Sequence, residues 1–244
     1  MGGFGGDIHG GPGRGGFERR LRAELERVAR DLGAEHASIH GTLELIIRAA
    51  IEIVPGAEHA GITLVTRGSS PESRAATSEL PKAIDDLQHR LGDGPCIQAI
   101  WEHETVLVPD MEHETRWQRF APAAAAAGAR SMLAFQLYAT EQTMGALNLH
   151  STRAHAFDDA AVSVGGSLAT HAAIALIASL REQQLRDAIA SRDVIGQAKG
   201  MLMERYSIDT ERAFAILKAQ SQNTNEPLHD VARKMVESER PPGI

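Results

Sequence analysis

"DVIGQAKGMLMERY", residues 193–206, decides how the C-terminal part of the chain is read. Its apolar residues recur with a helical period, yet Gly196 and Gly200 stand within it. Each glycine in a helix interior costs about 1 kcal/mol relative to alanine. On a wheel of roughly 100° per residue, Val194, Ile195, Ala198, Met201, Leu202 and Tyr206 share one broad arc, the expected core side. Gly196, Lys199, Gly200 and Met203 fall largely on the other side. The glycines therefore leave bare backbone on an outward face, with a lysine and a methionine beside it. Such a face admits close approach, either by another helix or by a nucleic-acid backbone or loop. The membrane use of Gly-x-x-x-Gly is excluded by Lys199, Glu204 and Arg205.

Two further helices follow this one. Asp209 is a good N-cap for "TERAFAILKAQSQ". Asn225 is read as the cap of the third helix, with Pro227 tolerated in its first turn. Leu228, Val231, Ala232, Met235 and Val236 recur there at i, i+3, i+4, i+7 and i+8, a one-sided amphipathic pattern. A three-helix bundle of about 50 residues is expected, a size that is marginal alone. From Ser191 to Arg240 eight Lys/Arg balance eight Asp/Glu, so the formal charge of −7 lies entirely upstream.

Working back from the bundle, residues 158–190 read as a long helix whose second half is polar but keeps Leu185 and Ile189. Before it come two strands, "SMLAFQLYA" and "TMGALNLHS", and an alanine-rich helix around residues 115–127. "HAGITLVTR", "ESRAATSE" and "TVLVPD" are further strands, with "LPKAIDDLQHRLG" and "IQAIWEH" helical between them. "SIHGTLELIIRAAIEIV" is a helix ended by Pro55-Gly56. In "FERRLRAELERVARDL", Leu21, Leu25, Val28 and Leu32 form a narrow stripe suited to a partner helix. The glycine-rich start, residues 1 to about 16, is expected to be disordered. Strands flanked by helices suggest an α+β domain.

With 43% hydrophobic residues the 244-residue chain can bury a sizeable core. The acidic balance argues against a wholly basic nucleic-acid coat protein. One cysteine, Cys96, excludes an intrachain disulfide and a cysteine-cluster metal site. No run approaches the roughly 18 apolar residues that span a bilayer, and the start lacks a secretory core. A cytoplasmic protein is the expectation. His36 and His40 have a metal-like spacing but no evident third ligand, and a surface pair is preferred. His150 is expected to be a packed strand histidine. No phosphate loop and no nucleophile–base–acid set can be assembled.

Residues 192–237, "RDVIGQAKGMLMERYSIDTERAFAILKAQSQNTNEPLHDVARKMVE", resemble an ANTAR domain, the RNA-binding output module of bacterial antitermination regulators. The resemblance implies binding to paired hairpins in leader RNA. It implies an RNA surface that includes Lys199, Gly200, Gly196 and Met203, with Asn225 and His229 next.

"LGDGPCIQAIWEHETVLVPDM" and "MGALNLHSTRAHAFDD" resemble a GAF domain, of the kind found with ANTAR domains in actinobacteria. The expected organisation is a glycine-rich tail (1–16), a dimerisation helix (17–35), a GAF sensor with an antiparallel sheet and flanking helices (36–175), a connecting helix (176–190) and an all-α three-helix ANTAR bundle (191–238). The resemblance implies a small-molecule ligand, no cofactor or metal being called for, and pairing of two copies through helices. Trp101, Trp117, Phe120, Phe135 and Cys96 are candidate pocket residues, with core packing the simpler reading of each aromatic. Cys96 is alternatively a redox switch, although one cysteine cannot run the dithiol cycle of GAF-type methionine sulfoxide reductases. "PCIQ" lacks the histidine that usually follows a bilin-attaching cysteine. The expectation is a non-enzymatic, homodimeric regulator, with a DNA-binding helix-turn-helix repressor as an alternative.

Overall fold

The two longest strands carry apolar side chains on both faces, and this fixes the layers of the N-terminal unit. The computed structural model describes residues 23, 26–28, 30–31, 38–66, 69–102, 105–140 and 143–238. The expected glycine-rich tail, Leu21, Leu25, Leu32 and His36 lie outside them. Five antiparallel strands form one sheet in the order β2-β1-β5-β4-β3. They are β1 (His59–Thr66), β2 (Glu72–Ala76), β3 (Thr105–Val108), β4 (Ser131–Thr140) and β5 (Thr143–Ser151).

Successive side chains of a strand point to opposite faces. Leu133, Phe135 and Leu137 of β4 and Leu147 and Leu149 of β5 enter one core, and Met132, Ala134 and Ala146 enter the other. The first core is closed by α1 (Ile39–Ile53) and by the start of α5 (Asp159–Tyr206). Ser38 caps α1, its Oγ accepting from Gly41 N at 2.9 Å. A buried hydroxyl pair, Thr42 Oγ1 and Ser179 Oγ at 2.7 Å, joins α1 to α5. Gly165 lets α5 lie close to the sheet: a Cβ there would stand 2.4 Å from the buried Phe135 ring. Val28 is buried in this same core.

The second core is closed by α2 (Glu79–Leu91), α3 (Pro95–Glu102) and α4 (Phe120–Ala126). The fourth helix is shorter than expected, because Pro122 belongs in a first turn and cannot continue a helix begun at 115. The preceding segment is instead held by Arg116, which donates to Glu114 and to the Leu107 carbonyl.

The chain divides into units at Leu180/Arg181, and α5 runs unbroken from Asp159 to Tyr206. The helix expected to begin at residue 193 is thus the last part of a longer one. One stretch of α5 is, by length and composition, apolar enough to cross a membrane, contrary to the expectation that no run comes close. Its apolar side includes Ala161, Val164, Leu168, Ala172 and Leu176, which are buried against the sheet.

In the C-terminal unit the last part of α5 packs with α6 (Thr210–Thr224) and α7 (Leu228–Ser238) around Ala198, Leu202, Ala213, Leu217, Val231 and Ala232. Asp209 caps α6, accepting from Arg212 N at 2.8 Å. Asn225 does not begin α7. It ends α6 in the left-handed conformation (φ 54°), donating its N–H to the Ser221 carbonyl. Asparagine tolerates that region better than most side chains. Pro227 then opens α7, its carbonyl accepting from Val231 N.

Candidate functional site

Two places in the molecule carry chemistry that packing alone does not call for. The first is the outward side of α5 in the C-terminal unit. Gly196 and Gly200 are exposed, and a Cβ at either would meet nothing within 4 Å. The bare strip of backbone is therefore open in the folded chain. Lys199 is half-buried at its margin, with Nζ 6.0 Å from the centre of the Phe214 ring.

Met203 departs from the expected arrangement. It is partly buried against the bundle core, its Sδ accepting from Thr210 Oγ1 at 3.4 Å. Tyr206, expected in the core, is 58% exposed, because the chain leaves α5 there through Ser207 at φ 51°. Asn225 lies at the far end of α6, about three turns from Phe214. His229 is half-exposed on α7, with Nε2 3.3 Å from Asp230 Oδ1. No described interaction joins Asn225 or His229 to Lys199. Phe214 itself, missed in the sequence because it adjoins the core residue Ala213, is 40% exposed.

The second place is the face of the sheet under α2 and α3. Thr63 of β1, Asn148 and His150 of β5 and Asp85 and Gln88 of α2 are all buried. Asn148 Nδ2 donates to Asp85 Oδ1 at 3.2 Å and to Thr63 Oγ1 at 3.4 Å. Burial pushes the Asp85 carboxyl up to about 6, only partly offset by the Ser73, Thr63 and Asn148 side chains. Gln88 Oε1 accepts from Cys96 N at 2.8 Å, and Gly94 lies against Gln88 at φ 132°. Burial and the nearby Asp85 push the Cys96 thiol up to about 12, so it is not a thiolate at neutral pH. Burial and His59 lower the His150 imidazole to about 3, and neither ring nitrogen meets a hydrogen-bond partner among the described residues.

The four expected pocket aromatics do not converge. Trp117 and Phe120 meet edge to face at 6.4 Å in the core under α2–α4. Phe135 is in the opposite core. Trp101 is 55% exposed on α3. Cys96 alone of the five adjoins the buried polar group. Asp85, Gln88, Thr63 and Asn148 were not singled out in the sequence. Among the described residues no three His, Cys, Asp or Glu side chains gather as a metal-ligand set.

A GAF domain family model matches residues 36–177, and an ANTAR domain model matches residues 183–236. No curated protein matches the chain. Among solved structures the chain is similar to the GAF domain of a phosphoenolpyruvate-protein phosphotransferase from Coxiella burnetii, at 14% identity and a TM-score of 0.53, over 69% of this chain and 96% of that one. It is also similar to the GAF domain of the Acinetobacter phosphoenolpyruvate-protein phosphotransferase, at 16% identity and a TM-score of 0.52, over 64% and 92%. A third similar structure is the free methionine-R-sulfoxide reductase of Neisseria meningitidis, at 19% identity and a TM-score of 0.50, over 66% and 91%. At these identities the likeness is one of fold, and the fold serves regulators and enzymes alike. With its five-stranded antiparallel sheet between two helical layers and more than half its length matched, the chain belongs to the GAF domain family, with an ANTAR domain following at residues 183–236.

Proposed function

We propose that this chain is a signal-controlled transcription antitermination regulator of the actinobacterial GAF–ANTAR type. It acts in the cytoplasm, without catalysing a reaction. The C-terminal unit binds paired hairpins in leader RNA, and a small molecule at the GAF domain sets its activity. The observation that carries this reading is the ANTAR match over a bundle whose Gly196–Gly200 strip is open and bordered by Lys199. A bundle of zero formal net charge binds RNA through a few placed cations, stacking and hydrogen bonds rather than through a broad basic surface. Lys199, Gly200 and Gly196 form the centre of the proposed surface, with Met203, Asn225 and His229 as outer members. The buried Asp85–Asn148 group is the proposed sensing centre. The high pKa of Cys96 weighs against the redox alternative.

A second reading has an observation of its own. Leu185 and Ile189 are exposed, and at about 100° per residue they fall within roughly 20° of Gly196 on the same helix. That alignment suits pairing with a second copy, with the glycines at the crossing. Binding of a two-hairpin leader RNA by the wild type and by Lys199→Ala tests the first reading, with duplex DNA and a single hairpin as controls at fixed salt. Selective binding, weakened by Lys199→Ala with the oligomeric state unchanged, is expected. Equal affinity of both proteins for all nucleic acids sinks the reading. Loss of the dimer in Gly200→Leu favours the second.

A further inference from the structure

The chain has only four lysines, and they divide in an informative way. Lys82 is paired with Glu79 at 2.7 Å and Lys234 with Glu226 at 2.6 Å. Lys199 and Lys218 enter no ion pair among the described residues, and these two flank Phe214. Lys199 reaches it across the α5–α6 groove, and Lys218 stands one turn further along α6. The ring is left 40% exposed although Ala213 and Leu217 on either side of it are fully buried. At 6.0 Å, Lys199 sits at the outer limit of a cation–π contact, so that pairing contributes little to the fold. An aromatic face between two uncommitted cations, beside a strip of backbone without side chains, complements a splayed-out nucleotide. Such a nucleotide would lay its base on the ring, direct its phosphates to the ammonium groups and bring its ribose to the bare helix.

Resting on the RNA reading above, we propose that Phe214 is the stacking platform for one unpaired base of a hairpin loop, with Lys199 and Lys218 holding the flanking phosphates. A purine is the preferred occupant because its larger π-face covers more of the ring. This assigns single-stranded loop recognition to the α5–α6 groove and leaves the hairpin stem to the remaining surface.

The test uses the full chain and a two-hairpin leader RNA carrying 2-aminopurine at each loop position in turn. Wild-type protein should change the fluorescence at one position. Phe214→Leu should lose about 5- to 150-fold in affinity, the range for one stacked base, while Phe214→Tyr retains it. Replacing that nucleotide by an abasic site should cost the wild type a similar factor and cost Phe214→Leu nothing more, an arm that stands even if the leucine variant folds poorly. If Phe214→Leu and the abasic RNA bind like their parents while Lys199→Ala weakens binding, the platform is refuted and the RNA reading stands. If the wild type binds no leader RNA, both fall.

Discussion

Replacing Gly196 and Gly200 by alanine should make the protein more stable and a poorer RNA binder. Neither new methyl would meet an atom within 4 Å, so there is no steric cost in the folded chain. Each substitution gains the helix-propensity difference of about 1 kcal/mol. Helix propensity is counted per residue, so the two substitutions together should gain up to about 2 kcal/mol, the positions being i,i+4 neighbours whose effects need not add in full. For a unit of this size that corresponds to a rise of roughly 8–16 °C in the midpoint of its unfolding. Far-ultraviolet circular dichroism during thermal and urea unfolding, with the tryptophan emission of the GAF unit followed in parallel, would separate the transition of the C-terminal unit. RNA binding by the same variant should weaken, because methyl groups would hold a ribose–phosphate backbone away from the helix. The reasoning is refuted if the double variant is less stable than the wild type at concentrations where the oligomeric state is unchanged. A loss of stability that tracks loss of a dimer would instead mean that a second helix covers the glycines.

Gly165→Ala should destabilise the GAF unit despite gaining helix propensity, because its Cβ would lie 2.4 Å from the Phe135 ring. Overpacking of about 1–3 kcal/mol against a gain of about 1 kcal/mol leaves a net loss of up to about 2 kcal/mol. Adding Phe135→Leu should recover part of it, as a double-mutant unfolding cycle would reveal. Asp85→Asn should stabilise the unit above pH 6. The folded carboxyl titrates near 6 and the unfolded one near 3.8, so between these values the native state holds a proton that the unfolded state has released. Native stability therefore falls as pH rises through that window, by an amount on the order of 2–3 kcal/mol. The variant's advantage over wild type in urea unfolding should be present at pH 7.5 and vanish near pH 4, and a pH-independent difference would contradict the burial argument.

The strands of the sheet were legible because their two faces meet different cores. "SMLAFQLYA" and "TMGALNLHS" are short, largely apolar runs separated by the polar "TEQ", the pattern of strands buried on both faces, and so predict β4 and β5. The amphipathic repeat of α7 was equally clear, since Val231 and Ala232 face one small core. Asn225 was harder, because the same side chain suits a helix start and a left-handed helix end, and only the backbone distinguishes them. Asp85 and Asp86 are identical neighbours in the sequence. One is buried beneath α2 and the other is in solvent, a distinction that depends on where the helix meets Thr63 and Asn148. Phe214 follows a core alanine, and nothing in its spacing shows that the packing of α6 on α5 turns it outward. The continuity of α5 was obscured because its exposed side changes along the way from small residues to charges to glycines.

Both tryptophans, the buried Trp117 and the exposed Trp101, precede the long helix, and the output bundle has none. The molecule is thus optically divided: intrinsic emission excited at the red edge of the absorption band speaks for the sensor and is silent about the bundle. A ligand titration followed this way reads the input alone, and a Phe214→Trp variant would add a separate channel for the output.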